Sequence, residues 1–65
     1  GPTHPDTASS LNNLAILSYY EGDKAEAARL MRQALTIRGA ALGANHPDSQ
    51  SSRRSLDVIE AELKG

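Results

Sequence analysis

The sequence predicts an all-α fold, an antiparallel helical hairpin with a third helix stacked on it, and three observations predict it. The chain has no Phe, no Trp and only two Tyr. Ala and Leu supply most of its apolar content, which suits close-packed helices, whereas strands favour β-branched and aromatic residues. Residues 1–10, GPTHPDTASS, return as residues 43–52, GANHPDSQSS. His4, Pro5 and Asp6 recur as His46, Pro47 and Asp48, and Gly1/Gly43, Ser9/Ser51, Ser10/Ser52 and Leu14/Leu56 keep the same offset of 42. Seven identities over the 23 positions that can be compared mark an internal repeat. Finally, apolar residues recur at spacings of three and four between turn signals, the pattern of one helix face. The chain holds about one and a half copies of one unit, and repeat units build surfaces.

The first helix is expected over residues 5–20. Pro5 suits the first helical position, where a missing N–H loses no partner. Asp6 and Thr7 place an acid and a hydroxyl in the first turn, where the helix dipole favours negative charge. This places the N-cap at His4. Leu11, Leu14, Ala15, Leu17 and Ser18 follow at helical spacing. Glu21-Gly22 ends the helix, since Gly22 is free to adopt the left-handed conformation.

A second helix is expected over 24–42. Asp23-Lys24-Ala25-Glu26 reads as a capping box, with Asp23 as cap and Glu26 three residues on. Ala27, Leu30, Met31, Ala34, Leu35 and Ile37 form its apolar stripe, and Arg29, Arg32, Gln33, Thr36 and Arg38 lie mostly off it. Gly39 costs about 1 kcal/mol of helix propensity relative to Ala. The helix still runs through it, because Ala40-Ala41-Leu42 continues and Gly43 is the better stop. The third helix, over 47–63, restarts at Asn45-His46-Pro47-Asp48. Leu56, Ile59 and Leu63 keep one apolar stripe, while Arg53 and Asp57 stand where the first copy has Leu11 and Ala15. One apolar stripe on an otherwise polar helix is what the end of a repeat stack needs.

Several function classes are disfavoured. With no Cys there is neither a disulfide nor a Cys/His zinc pattern, and the composition suits a reducing, cytoplasmic setting. A net charge of −1 and a pI near 6.1 argue against nucleic-acid and membrane partners. Arg29, Arg32, Arg38, Arg53 and Arg54 are interleaved with eight acids and lack an aromatic stacking platform, so they read as a solvated surface. No apolar run approaches the roughly 18 residues of a membrane span. The two His sit at the same turn of each copy, and the seven Ser carry no nucleophile elbow. No catalytic, cofactor or metal residues are expected, and the chain is not read as an enzyme. Gly1-Pro2 fits both a cleavage scar and the repeat itself.

The run HPDTASSLNNLAILSYYEGDKAEAARLMRQALTIRGAALGANHPD closely resembles the 42-residue tetratricopeptide repeat of the kinesin-light-chain type, a class widespread in bacterial repeat proteins. The resemblance rests on Leu11, Leu14, Ala15, Gly22, Ala27, Met31, Ala34, Leu35 and the two HPD turns. It implies that Leu14 and Ala15 pack against Ala27 and Met31. It departs from the family at Ser18, where Tyr is frequent, and at Met31, where an aromatic is. It also implies a concave groove that binds a peptide or helix of another protein. Carried over, the groove positions are Ser9, Asn12, Asn13, Ile16, Tyr19 and Tyr20, with Arg54, Val58 and Ala61 in the partial copy. Spacing agrees in part: Asn12, Ile16 and Tyr19 share a face separate from Leu11, Leu14 and Ser18. The plainer reading has Asn12 and Asn13 solvated, and Ile16 and Tyr19 packed on a neighbouring unit.

Size raises a further expectation. A 65-residue chain buries only about 60% of its unfolded surface, and about three repeats are usually needed for a stable stack. The chain is therefore expected to be part of a longer array and to self-associate, by stacking or by exchanging a helix. The alternative to groove binding is a structural role, as the C-terminal cap or self-association segment of such an array.

Overall fold

In a computed structural model, which describes residues 5–65, the chain forms three α-helices: α1 (Pro5–Tyr20), α2 (Lys24–Leu42) and α3 (Pro47–Lys64). The N-cap expected at His4 lies outside the described residues. The α1–α2 turn is a Schellman closure. The Gly22 N–H donates to the Tyr19 carbonyl at 3.1 Å and the Asp23 N–H to that of Ser18 at 2.9 Å. Gly22 takes φ +90°, a conformation that side chains disfavour. Asp23 then caps α2, its Oδ1 accepting the Glu26 N–H at 3.1 Å. The expected capping box is only half made. The Asp23 N–H is already bound to Ser18, and the Glu26 side chain turns to Arg29, with contacts of 2.6 and 2.8 Å.

α2 continues through Gly39 to Leu42 and closes on Gly43 at φ +91°. His46 then caps α3, its Nδ1 accepting the Asp48 N–H at 3.1 Å. Pro47 stands at the start of the helix, where it forfeits no hydrogen bond.

α2 is the middle element, with α1 and α3 both packed on it. The core is small and built from small residues. Ala8 and Ala15 of α1, Ala27, Ala28, Leu30, Met31 and Ala34 of α2, and Leu56 and Ile59 of α3 are buried. Alanines on facing helices allow close approach, and Met31, fully buried, fills the space that remains. Ser49 and Ser52 act as further small residues at the α2–α3 contact. Ser52 Oγ accepts from the Arg38 guanidinium at 2.7 Å, whereas Ser49 Oγ is buried with no hydrogen-bond partner among the described residues.

Two expectations are corrected. Leu14, expected to pack against Ala27 and Met31, is 50% exposed, and Leu17 is 54% exposed. Ala8 and Ala15 turn α1 toward α2, which leaves Leu14 and Leu17 on an outer face. Leu63 is also half-exposed, beyond the point where α3 is covered.

Candidate partner-binding groove

α1 and α3 approach α2 from different directions, and a cleft of ≈ 300 Å³ opens between them. One wall is α1, with Ile16, Tyr19 and Tyr20, and the other is α3, with Ser55 and Val58. The floor is Met31 and Ile59, both buried. Ile16, Tyr20 and Val58 are 42%, 80% and 56% exposed, so three large apolar side chains that water touches converge on one cleft. A cluster of this kind marks a contact surface more strongly than the same residues scattered singly.

Tyr19 is partly buried and packs on the core. Its hydroxyl donates to the Glu62 carboxylate, 2.7 Å from Oε2 and 2.9 Å from Oε1. Lys24 Nζ lies 2.9 Å from Glu62 Oε1 and 6.0 Å from the centre of the Tyr19 ring. The Tyr20 ring meets Tyr19 edge-on, with centroids 5.6 Å apart. Residues of all three helices are thus clasped at one end of the cleft. The bonds to Lys24 and then to Tyr19 hold the Glu62 carboxyl below its ordinary value of 4.5. The bond to Glu62 holds the Tyr19 hydroxyl and the Lys24 ammonium above theirs. The clasp is solvent-accessible, so its strength is modest and screened by salt.

Of the residues singled out from sequence, the cleft gathers Ile16, Tyr19, Tyr20 and Val58. Asn12, half-buried, and the exposed Ser9, Asn13 and Ala61 do not line it. Arg54 lines a different cleft of ≈ 490 Å³ between α2 and α3, beside Arg53, Leu35 and Gly39. Sequence reasoning missed the floor and the clasp. The repeat offset held a signal for the clasp: Glu62 stands at the register of Tyr20, next to that of Tyr19. Among the described residues no three His, Asp or Glu side chains gather as a metal site, and none of the helices is long and apolar enough to cross a membrane.

A family model described as Tetratricopeptide repeat matches residues 7–48, more than half of the chain. The matched span equals the internal period, and the kinesin-light-chain type is consistent with it. No solved structure matches the chain. The chain belongs to the tetratricopeptide repeat family, whose members generally serve as protein–protein interaction modules.

Proposed function

We propose that this tetratricopeptide-repeat chain binds a peptide or helix of a partner protein in the cleft between α1 and α3, as a non-catalytic module in a cytoplasmic setting. One observation carries the reading: Ile16, Tyr20 and Val58 are exposed, apolar and gathered over a floor of Met31 and Ile59. An apolar side chain of the partner fits this cleft, with Tyr20 as a large amphipathic contact. Asn12, Asn13 and Ser9 lie on α1 toward its N-terminus, where their polar groups suit the backbone of an extended ligand. Arg54 is the outlying member of the set and suits an acidic group of the partner. Nucleic acid and membrane fit this surface poorly, because the cleft carries no basic lining residue.

Peptide display panned on the wild-type chain tests the reading. Selected peptides are expected to share a large apolar residue and to lose at least about tenfold in affinity, some 1.4 kcal/mol, on Val58→Asp or Tyr20→Ala. Peptides whose binding ignores both substitutions would overturn it.

The structural alternative, a cap or self-association segment of a longer array, is favoured by a separate observation: Leu14 and Leu17 are exposed together on the outer face of α1. It predicts a rise in molecular mass with concentration in sedimentation equilibrium, reversed by Leu14→Asp. A mass that stays at one chain throughout would remove self-association.

A further inference from the structure

The cleft of ≈ 490 Å³ between α2 and α3 shares no residue with the groove. Its floor is apolar and low, made by Leu35, Gly39 and Ala40 of α2 and by Ala44. Gly39 is the member that the fold does not call for. Glycine weakens a helix interior, because it has the most backbone freedom to lose. Its φ is not positive, unlike those of Gly22 and Gly43. Packing does not require it either, since a Cβ at this position would meet nothing within 4 Å. A side chain here would occupy the cleft instead. Gly39 keeps the cleft open and lets a ligand lie against the helix backbone.

The wall supplied by α3 is polar and positively charged. Gln50 and Arg53 stand where α1 has the buried Ala8 and the core-packed Leu11, so this side is a poor seat for an apolar surface. Gln50, Arg53 and Arg54 are exposed along the cleft, and among the described residues no carboxylate lines it. The Arg54 side chain makes no hydrogen bond or ion pair among the described residues. Arg53 reaches only Asp57, loosely, with Nε 3.7 Å from Oδ1. Ser49, 1% exposed, also lines the cleft, and its Oγ is an unmet polar group in the wall. An apolar floor beside a cationic wall selects a ligand with both characters. Guanidinium forks match the paired oxygens of a carboxylate or a phosphate.

We infer that the α2–α3 cleft is a binding site for a small amphipathic anion, an apolar body that carries a carboxylate or a phosphate. The body lies on Leu35 and Gly39, and the anionic group meets Arg53 and Arg54. The site does not depend on the groove's having a ligand, and Arg54 is the one residue that the two readings share.

The test titrates the ¹⁵N-labelled chain with 2-naphthoate and, separately, with 2-naphthyl phosphate; 2-naphthamide is the uncharged control. Amide shifts are expected at Gly39, Ala40 and Gln50 with at least one of the anions, and the tighter binder identifies the anionic group. The amide is expected to bind at least about tenfold more weakly, as is the tighter anion to the double variant Arg53→Gln/Arg54→Gln. Gly39→Leu fills the cleft. It is expected to abolish binding while keeping or raising the Tm, since it removes a glycine from a helix interior. No shifts with either anion at about 10 mM would overturn the proposal. So would shifts confined to Ile16, Tyr20 and Val58, equal binding of the amide, or unchanged binding by Gly39→Leu. Should either variant fail to fold, the wild-type chain decides through the amide control and the positions of the shifts.

Discussion

α1 and α3 share the His-Pro-Asp sequence at their starts and hold the same register, yet they bury different faces. In α1 the buried residues are Ala8 and Ala15, with Leu11 packed beside them. At those positions α3 has Gln50, Asp57 and Arg53, all exposed, with Arg53 Nε 3.7 Å from Asp57 Oδ1. In α3 the buried residues are Ser52, Leu56 and Ile59, and their counterparts in α1, Ser10, Leu14 and Leu17, are exposed. Each helix therefore has one covered face and one bare face of the kind the other covers. The two bare faces differ in chemistry. That of α3 is polar and suits water; that of α1 is apolar. The difference lies in a handful of substitutions within one repeat pattern.

Exchanging residues between the two registers is the hardest test of this comparison. Ala15→Asp installs the residue that α3 tolerates at the same position. Ala15 is fully buried, so the carboxylate would be desolvated without a partner, at a cost of about 3–5 kcal/mol. A chain of 65 residues has only about 3–10 kcal/mol of stability, so loss of most helicity is expected by circular dichroism. The reverse change, Asp57→Ala, is expected to stay within about 0.5 kcal/mol of wild type. Equal effects of the two would break the comparison.

The leucine pair comes next. Leu56→Ala removes a buried side chain and should cost about 2–4 kcal/mol in urea unfolding, whereas Leu14→Ala at the same register should cost below about 1 kcal/mol. Arg38→Ala follows, at about 1–2 kcal/mol, because it strips the charged donor from Ser52 and from the Asp48 carbonyl. An effect near zero would mean that Ser52 is buried for its size alone.

The smallest effect belongs to the clasp. Glu62 has its carboxyl pKa lowered in the folded chain by Lys24 and Tyr19, so its contribution is present above the unfolded value and is lost as pH falls through the folded one. Glu26, lowered by its bond to Arg29, behaves likewise. Thermal unfolding of wild type should therefore fall on acidification below about pH 4.5, near the ordinary glutamate value. Glu62→Gln should flatten that fall at low salt. An identical pH profile for the variant would remove the clasp from the account.

Much of this was legible in the residues. Gly22, Asp23, Gly43 and the second HPD turn marked the boundaries of α2 and the start of α3, because caps and positive-φ glycines act locally. The faces were less legible. Leu11, Leu14, Ala15 and Leu17 all satisfy spacings of three and four, and such spacing cannot separate two apolar faces on one helix. It therefore gave no check on the resemblance, which implied that Leu14 packs against Ala27 and Met31. Ser49 and Ser52 are not among the apolar residues that marked the core stripe of α3, and only the closeness of α2 and α3 makes small side chains core-forming there. Arg38 lay off the apolar stripe, yet its long side chain reaches across to α3. Of the cleft lining, Ile16, Tyr19, Tyr20 and Val58 are among the positions that the resemblance implied. Arg54 was grouped with Val58 by position too, but its side chain lines another cleft, which spacing along the helix does not reveal.

Equivalent faces of α1 and α3 differ in whether they are covered. Methyl relaxation by a soluble paramagnetic probe, measured on dilute chain, tests this most directly. The methyls of Leu14 and Leu17 should be relaxed several-fold more strongly than those of Leu56 and Ile59, in line with half-exposure on one helix and near-complete burial on the other. Equal relaxation of the two sets would mean that both faces are covered or both bare, and the distinction between them would fall.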